Sequence, residues 1–202
     1  MAAVVIGSRN KHKVQEIRQL LAGLPIDVLS LQDFPDAPEV EEDGDTFEAN
    51  ALKKARIIAD FTGLTTLADD SGLEVDTLGG QPGVHSARFA GASATDEENN
   101  IKLLRLLDRC PAADRTARFR CAIALVGRGD AEELVKGICS GVIISQPQGT
   151  GGFGYDPLFM VPDLGKTFAE LSSDEKNRIS HRGKALRKVL AVIREWSDRG
   201  WI

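Results

Sequence analysis

From its first residues the chain alternates short β-branched apolar runs with longer segments of helical period, an order that few architectures accept. Ala3 to Ile6 reads as a buried strand, Gly7 to Asn10 as a turn, and the next segment as a helix with Val14, Ile17, Leu20 and Leu21 on one face. A second β run, Ile26 to Leu31, precedes a Pro-rich acidic stretch. A helix from about Thr46 then carries Phe47, Ala51, Ala55 and Ile58 in phase, with Asp45 or Thr46 as its cap. Two β-like runs, Thr65 to Ala68 and Leu73 to Leu78, flank a loop ADDSG. Thr95 and Glu98 form a capping box for a helix holding Ile101, Leu104 and Leu107, which Pro111 ends. Ala117 to Val126 and Leu134 to Ile144 read as two long strands in a hairpin around Gly127, Arg128 and Gly129. The final helix, from about Ser180, presents Leu186, Val189, Leu190, Ile193 and Trp196. The expected class is α/β with a mixed sheet. No repeat or linker divides the chain, so one continuous domain over residues 1–202 is expected.

Charge narrows the partners. Twenty-five Lys and Arg against 30 Asp and Glu give a net charge of −5, which argues against a broad grip on nucleic acid or anionic lipid. Three cysteines, Cys110, Cys121 and Cys139, have no C-x-x-C pair and fit neither a disulfide framework nor a zinc knuckle. The N-terminus puts apolar residues before basic ones, the reverse of a secretory signal, and no run reaches membrane-spanning length. The expected setting is the cytoplasm.

Three clusters could carry chemistry. Eight carboxylates lie between Asp33 and Glu48 with no Lys or Arg among them. They form either a solvated face or, with Asp69 or Asp70, a site for a hard divalent cation. Asp69 and Asp70 are adjacent and would repel each other unless a cation or donors offset them. GTGGFGYD at 149–156 contains the G-x-G-x-x-G spacing, but Asp156-Pro157 forces an extended chain where a dinucleotide motif needs a helix to open. It is either a turn between strands or a loop that approaches a ligand, with Phe153 and Tyr155 offering aromatic faces. Lys176, Arg178, His181, Arg182 and Lys184 crowd the threshold of the last helix, where cations oppose the macrodipole. His12 and His85 have no partner at metal-ligand spacing. Asn10, Lys11 and Lys13 follow a buried strand, where open α/β sheets bind ligands. Acids for a metal, lysines at a strand end, an aromatic glycine loop and a basic helix start together describe a nucleoside triphosphate site.

Seven ordered blocks stand out: SRNKHK at 8–13, EEDG at 41–44, TFEANALKKA at 46–55, ADDSG at 68–72, LGGQPGVHSARFAG at 78–91, GTGGFGYDP at 149–157, and EK with ISHRGKAL within 175–186. Together they resemble the inosine triphosphate pyrophosphatases, which act on non-standard purine nucleoside triphosphates. The resemblance implies an elongated curved mixed sheet with flanking helices, two lobes around an active-site cleft, and a homodimer. It also implies Mg²⁺-dependent hydrolysis of ITP, dITP or XTP to the monophosphate and pyrophosphate. By position, Glu41 and Asp70 match the metal carboxylates, and Asp70 the general base. Ser8, Arg9, Asn10, Lys11, His12, Lys13, Lys54 and Ser71 match the triphosphate contacts. Phe153, Gly154, Tyr155, Asp156, Lys176, His181 and Arg182 match the pocket for base and phosphate. One departure is visible: the family's loop usually opens T-G-N, and here it is Ser8-Arg9-Asn10. Rival readings are a non-catalytic nucleotide-binding regulator and, from the glycine spacing, a dinucleotide oxidoreductase.

Overall fold

A computed structural model describes residues 2–127, 129, 131–200 and 202. Seven strands form one sheet in the order β2-β1-β3-β4-β5-β6-β7. They are β1 (Ala2–Ile6), β2 (Ile26–Ser30), β3 (Thr65–Val75), β4 (Thr116–Val126), β5 (Glu132–Ile143), β6 (Phe159–Val161) and β7 (Lys166–Thr167). The helices are α1 (Lys11–Leu21), α2 (Phe47–Thr62), α3 (Asp96–Leu106), α4 (Ser173–Ile179) and α5 (His181–Asp198). β1 runs parallel to β2 and β3, whereas β6 is antiparallel to β5 and β7. The sheet is therefore mixed, and the class is α/β.

The chain divides into two compact units. The first comprises Met1–Asp70, Cys121–Gly137 and Arg182–Ile202, the second Ser71–Arg120 and Ile138–His181. In the first, β1 is covered on both faces. Val4 and Ile6 pack with Ile17, Leu21, Ile123, Leu186 and Val189, while Val5 packs with Leu31 and Ile58 on the opposite side. A strand buried on both faces must be apolar throughout, which is why AVVI shows no alternation. The second unit has its own core, in which Leu73, Phe119, Tyr155, Phe159 and Phe168 meet Leu103 of α3 and Leu107 at its C-cap.

Several expectations meet the structure closely. The Thr46 hydroxyl caps α2 and the Thr95–Glu98 capping box opens α3. Gly127 N–H donates to the Ala131 carbonyl at 2.8 Å between β4 and β5, while Arg128 of the expected hairpin turn lies outside the described residues. Two expectations are corrected. ADDSG is not a loop between two strands: β3 runs unbroken from Thr65 to Val75, because charged and hydrogen-bonding partners offset the acids and let them sit in mid-strand. In α3 the buried face runs through Asn99, Leu103 and Leu107, and Ile101 is exposed. Asn99 displaces it because both ends of its amide are bonded, to Ala90 N–H and the Ala87 carbonyl.

Two of the three free cysteines, Cys121 and Cys139, are buried, and Cys110 is half-buried. Burial foremost pushes the Cys121 thiol up to about 12, so it packs as a small apolar group. Among the described residues no helix is long and apolar enough to cross a membrane.

Candidate active site

The strand period separates the two acids of β3. Successive side chains point to opposite faces, so Asp69 and Asp70 enter different surroundings. Asp69 is 0% exposed and meets α1 and α5: Lys13 Nζ lies 3.2 Å from its Oδ2, and Arg182 donates to the same oxygen from Nε and Nη2 at 3.2 Å. Glu16 takes a further Arg182 N–H. Burial works against the Asp69 charge, but Lys13, Arg182 and Lys54 outweigh it and hold the carboxyl well below the usual range. The same cluster raises Lys13 and Arg182: burial opposes each cation, and Asp69 overcomes it.

Asp70 faces α2. It is also buried, and its Oδ2 accepts the Asn50 side-chain N–H at 3.0 Å. Here burial wins. It raises the Asp70 carboxyl above the ordinary range, Glu42 adds to the rise, and Lys13, Lys54 and the Asn50 bond only partly offset it. The chain thus holds one acid firmly ionised and its neighbour nearer to protonation, the separation a general base requires. α2 supplies the supporting groups, because its apolar stripe of Phe47, Ala51, Ala55 and Ile58 includes Asn50 and Lys54 in the same phase. Lys54 Nζ donates to the Asp69 carbonyl at 2.6 Å and to the Glu42 carboxylate.

Asn50 also ties down the acidic segment: its Oδ1 accepts Gly44 N–H at 2.8 Å and its Nδ2 donates to the Gly44 carbonyl at 3.3 Å. A Cβ on Gly44 would lie 2.7 Å from that oxygen, so the glycine permits the approach. Glu41 is exposed three residues earlier. Among the described residues no three His, Cys, Asp or Glu side chains gather as a preformed metal cage.

At the end of β1, Ser8 Oγ accepts Asn10 N–H at 3.3 Å, and Asn10 Oδ1 caps α1 by accepting the His12 and Lys13 amides at 3.0 and 3.2 Å. Lys11 and His12 are exposed, as is Arg9, whose guanidinium leaves the loop to donate to the Ala37 carbonyl at 2.6 Å. Ser71 follows Asp70 in β3 and is half-buried.

In the second unit GTGGFGYD forms a turn-rich loop between β5 and β6, with no helix opening at its glycines. Asp156 organises it: its Oδ2 accepts Phe153 N–H at 2.9 Å and Lys176 Nζ at 2.6 Å. A Cβ on Gly152 would collide with that carboxylate. Lys176 also lies 4.8 Å from the centroid of the half-buried Phe153 ring. Tyr155 does not offer its face outward; it is 4% exposed, packs in the core, and donates its hydroxyl proton to the Ser86 carbonyl at 2.8 Å.

The basic threshold of the final helix is two helices, with Ser180 between α4 and α5. Lys176 and Arg178 stand in the last turn of α4, where cations suit the macrodipole. His181 stacks on Phe119 with centroids 4.7 Å apart, whereas Arg182 turns into the Asp69–Glu16 network. Sequence reasoning singled out neither Asn50 nor Glu16. Asn50 left a signal, a polar residue in phase with an apolar stripe; Glu16 stands 166 positions from Arg182 and left none.

Residues 4–192 match the Ham1 family. A dITP/XTP pyrophosphatase of Geobacter sulfurreducens is 58% identical over 186 residues, covering 92% of this chain and 94% of the relative. Another from Desulforamulus reducens is 53% identical over 190 residues, covering 94% of each. The solved structure of a HAM1 protein from Coxiella burnetii superposes with a TM-score of 0.88 at 45% identity, covering 96% of this chain and 100% of that one. A match this continuous in sequence, and this close in fold, places the chain in the Ham1 family.

Proposed function

We infer that this protein hydrolyses ITP, dITP and XTP to the nucleoside monophosphate and pyrophosphate. The observation that carries the reading is the divergence of two neighbouring acids: Asp69 is locked as an anion among cations, while Asp70 sits buried against the Asn50 amide and burial raises its carboxyl above the ordinary range. In that role Asp70 orients water for attack on the α-phosphorus and takes its proton. Lys13 and Lys54 offset the triphosphate charge, and the start of α1 adds the positive end of its helix dipole. Ser8, Arg9, Lys11, His12 and Ser71 complete the proposed phosphate contacts.

The chemistry of the donors fits Mg²⁺, which takes one or two carboxylates and completes its shell with water and substrate phosphates rather than a protein cage. Asp70 and Glu41 would hold it. When bound, Mg²⁺ neutralises charge that develops on the phosphates.

Base recognition falls to the second unit. Phe153 gives a stacking face, and Lys176, positioned by Asp156, is the proposed donor to the O6 acceptor of hypoxanthine or xanthine. Adenine carries an amino group there and forfeits the bonds. Guanine keeps O6, so its 2-amino group must meet a wall or unpaired polar atoms. His181 and Arg182 remain candidates for the same edge or for phosphate. A homodimer and a cytoplasmic setting belong to the same reading, and light scattering at twice the chain mass checks the dimer.

The test is pyrophosphate release from ITP, dITP, XTP, ATP and GTP with and without Mg²⁺. The expected result is a kcat/KM advantage for the first three approaching about 10⁴-fold, the discrimination available to a site whose buried donors go unpaired with the wrong group. Comparable rates for ATP and ITP would indicate a general nucleotide hydrolase; binding without cleavage would indicate a regulator.

A further inference from the structure

α3 lies outside every block that points to base or phosphate, yet it holds the base loop. Gly154 has φ +63°, a left-handed conformation that few side chains adopt, and both of its backbone groups are taken by α3. Its N–H donates to Asp96 Oδ2 at 2.6 Å, and its carbonyl accepts the Asn100 side-chain N–H at 3.0 Å. One residue earlier, Phe153 N–H is fixed on Asp156 Oδ2, the oxygen that also holds Lys176. The backbone on the C-terminal side of the Phe153 ring is therefore tied to α3, and its own N–H to the Lys176 partner.

α3 is itself well anchored. The Thr95–Glu98 capping box closes its first turn, Asn99 bonds the Ala87 carbonyl and Ala90 N–H, and Lys102 donates to the Phe89 carbonyl while lying 4.4 Å from that ring. A rigid helix that clamps both polar groups of one loop residue fixes that residue in three dimensions.

We propose that Asp96 and Asn100 are positioning residues for substrate selectivity, clamping Gly154 so that Phe153 and Lys176 meet the purine in one geometry. This rests on the reading that the Phe153 loop receives the base. Discrimination through hydrogen bonds depends on preorganised donors; a loop that can follow the wrong base rejects it less. The clamp touches no reacting atom, so its loss acts on binding of the base and leaves the hydrolytic step to Asp70, Lys13 and Lys54.

The experiment compares kcat and KM for ITP and ATP in Asp96→Ala, Asn100→Leu, Asp96→Asn, Phe153→Ala and Glu97→Ala. Loss of the charge-assisted bond in Asp96→Ala should raise the ITP KM and lower the ITP/ATP ratio of kcat/KM by about tenfold, and the neutral bond in Asn100→Leu by about threefold. The ITP kcat should change less than twofold in both. Asp96→Asn keeps an acceptor for Gly154 N–H and should restore most of the ratio. Glu97→Ala removes a neighbouring acid from the same first turn. It matches any loss from the helix dipole and should leave the ratio intact. Ratios unchanged in Asp96→Ala and Asn100→Leu, or lost equally in Glu97→Ala, overturn the proposal. If Phe153→Ala collapses the ratio while the α3 variants do not, the base-loop reading stands and the clamp alone fails. If Phe153→Ala leaves it unchanged, both fall. Should Asp96→Ala not fold, Asn100→Leu and Asn100→Asp decide, the latter setting a carboxylate against the Gly154 carbonyl and costing more than the former.

Discussion

The same chemical change at two adjacent positions should move stability in opposite directions. Asp69→Asn removes a charge shared by Lys13 and Arg182, and the acid and the arginine are 0% and 2% exposed. Breaking a buried pair by deleting one partner costs about 3–5 kcal/mol, since the other charge stays buried. In a chain of this size each kcal/mol is worth about 2–4 °C, so Tm should fall by about 6–20 °C. Glu16 still pairs with Arg182, which favours the lower half of that range. Asp70→Asn does the reverse. Burial penalises the Asp70 charge, and an amide of the same shape can still accept the Asn50 N–H while carrying no charge. Removing a charge that burial penalises should therefore raise Tm.

The two effects also part with pH. The Asp69 pKa is depressed on folding, so its contribution is complete above the unfolded value, near 3.9, and is lost only as pH falls through the folded pKa. The Asp69→Asn deficit should therefore be flat from about pH 5 to 8. The Asp70 pKa is raised, so its ionisation penalty is complete above the folded pKa and fades as pH falls to the unfolded value. The Asp70→Asn gain should be largest at pH 8 and shrink towards pH 4. Thermal denaturation across this range is the assay, with pyrophosphate release measured on the same samples. Asp70→Asn should lose about 10²-fold or more in turnover while gaining stability, by the usual worth of a general base. A lower Tm in both variants, or near-wild-type turnover in Asp70→Asn, would refute the assignment of a structural anion and a working base.

Glu41→Gln should raise the Mg²⁺ concentration needed for half-maximal rate while leaving Tm unchanged, since Glu41 is exposed; an unaltered Mg²⁺ titration removes it from the metal site. His181→Ala and Arg182→Ala should separate edge reading from scaffolding. Arg182→Ala takes a buried cation from Asp69, so it should lower Tm and weaken all triphosphates alike, whereas His181→Ala should reduce the ITP/ATP ratio. An ITP/ATP ratio unchanged in both variants would take the purine edge away from this pair.

What the sequence made legible was whatever local pattern dictates. The helical stripe in α2, the capping boxes and the bare apolar run of β1 follow from periodicity and hydrogen bonding over a few residues, and each fell within a residue or two of its observed place. Two of the failures share one cause. ADDSG looked like a loop because two acids and a glycine have poor strand propensity, and Ile101 looked buried because it is apolar. In each case distant polar partners overruled local preference, Lys13 and Arg182 for Asp69, and the Ala87 and Ala90 backbone for Asn99.

That cause points to where function is written in this chain. Asn50 and Asn99 both occupy apolar phases of their helices, where an unpaired amide would cost stability, and each satisfies both ends of its amide on backbone outside its own helix. The first sits beside Asp70 and the acidic segment, the second on the helix that grips Gly154. A leucine at either position would suit the helix and free the loop. Polar residues kept in apolar phase therefore mark the helices that hold functional loops in place, and α2 and α3 carry them. The chemistry proposed for Asp70 and the selectivity proposed for Phe153 rest on helix faces whose sequence pattern looks, residue by residue, like imperfect amphipathicity.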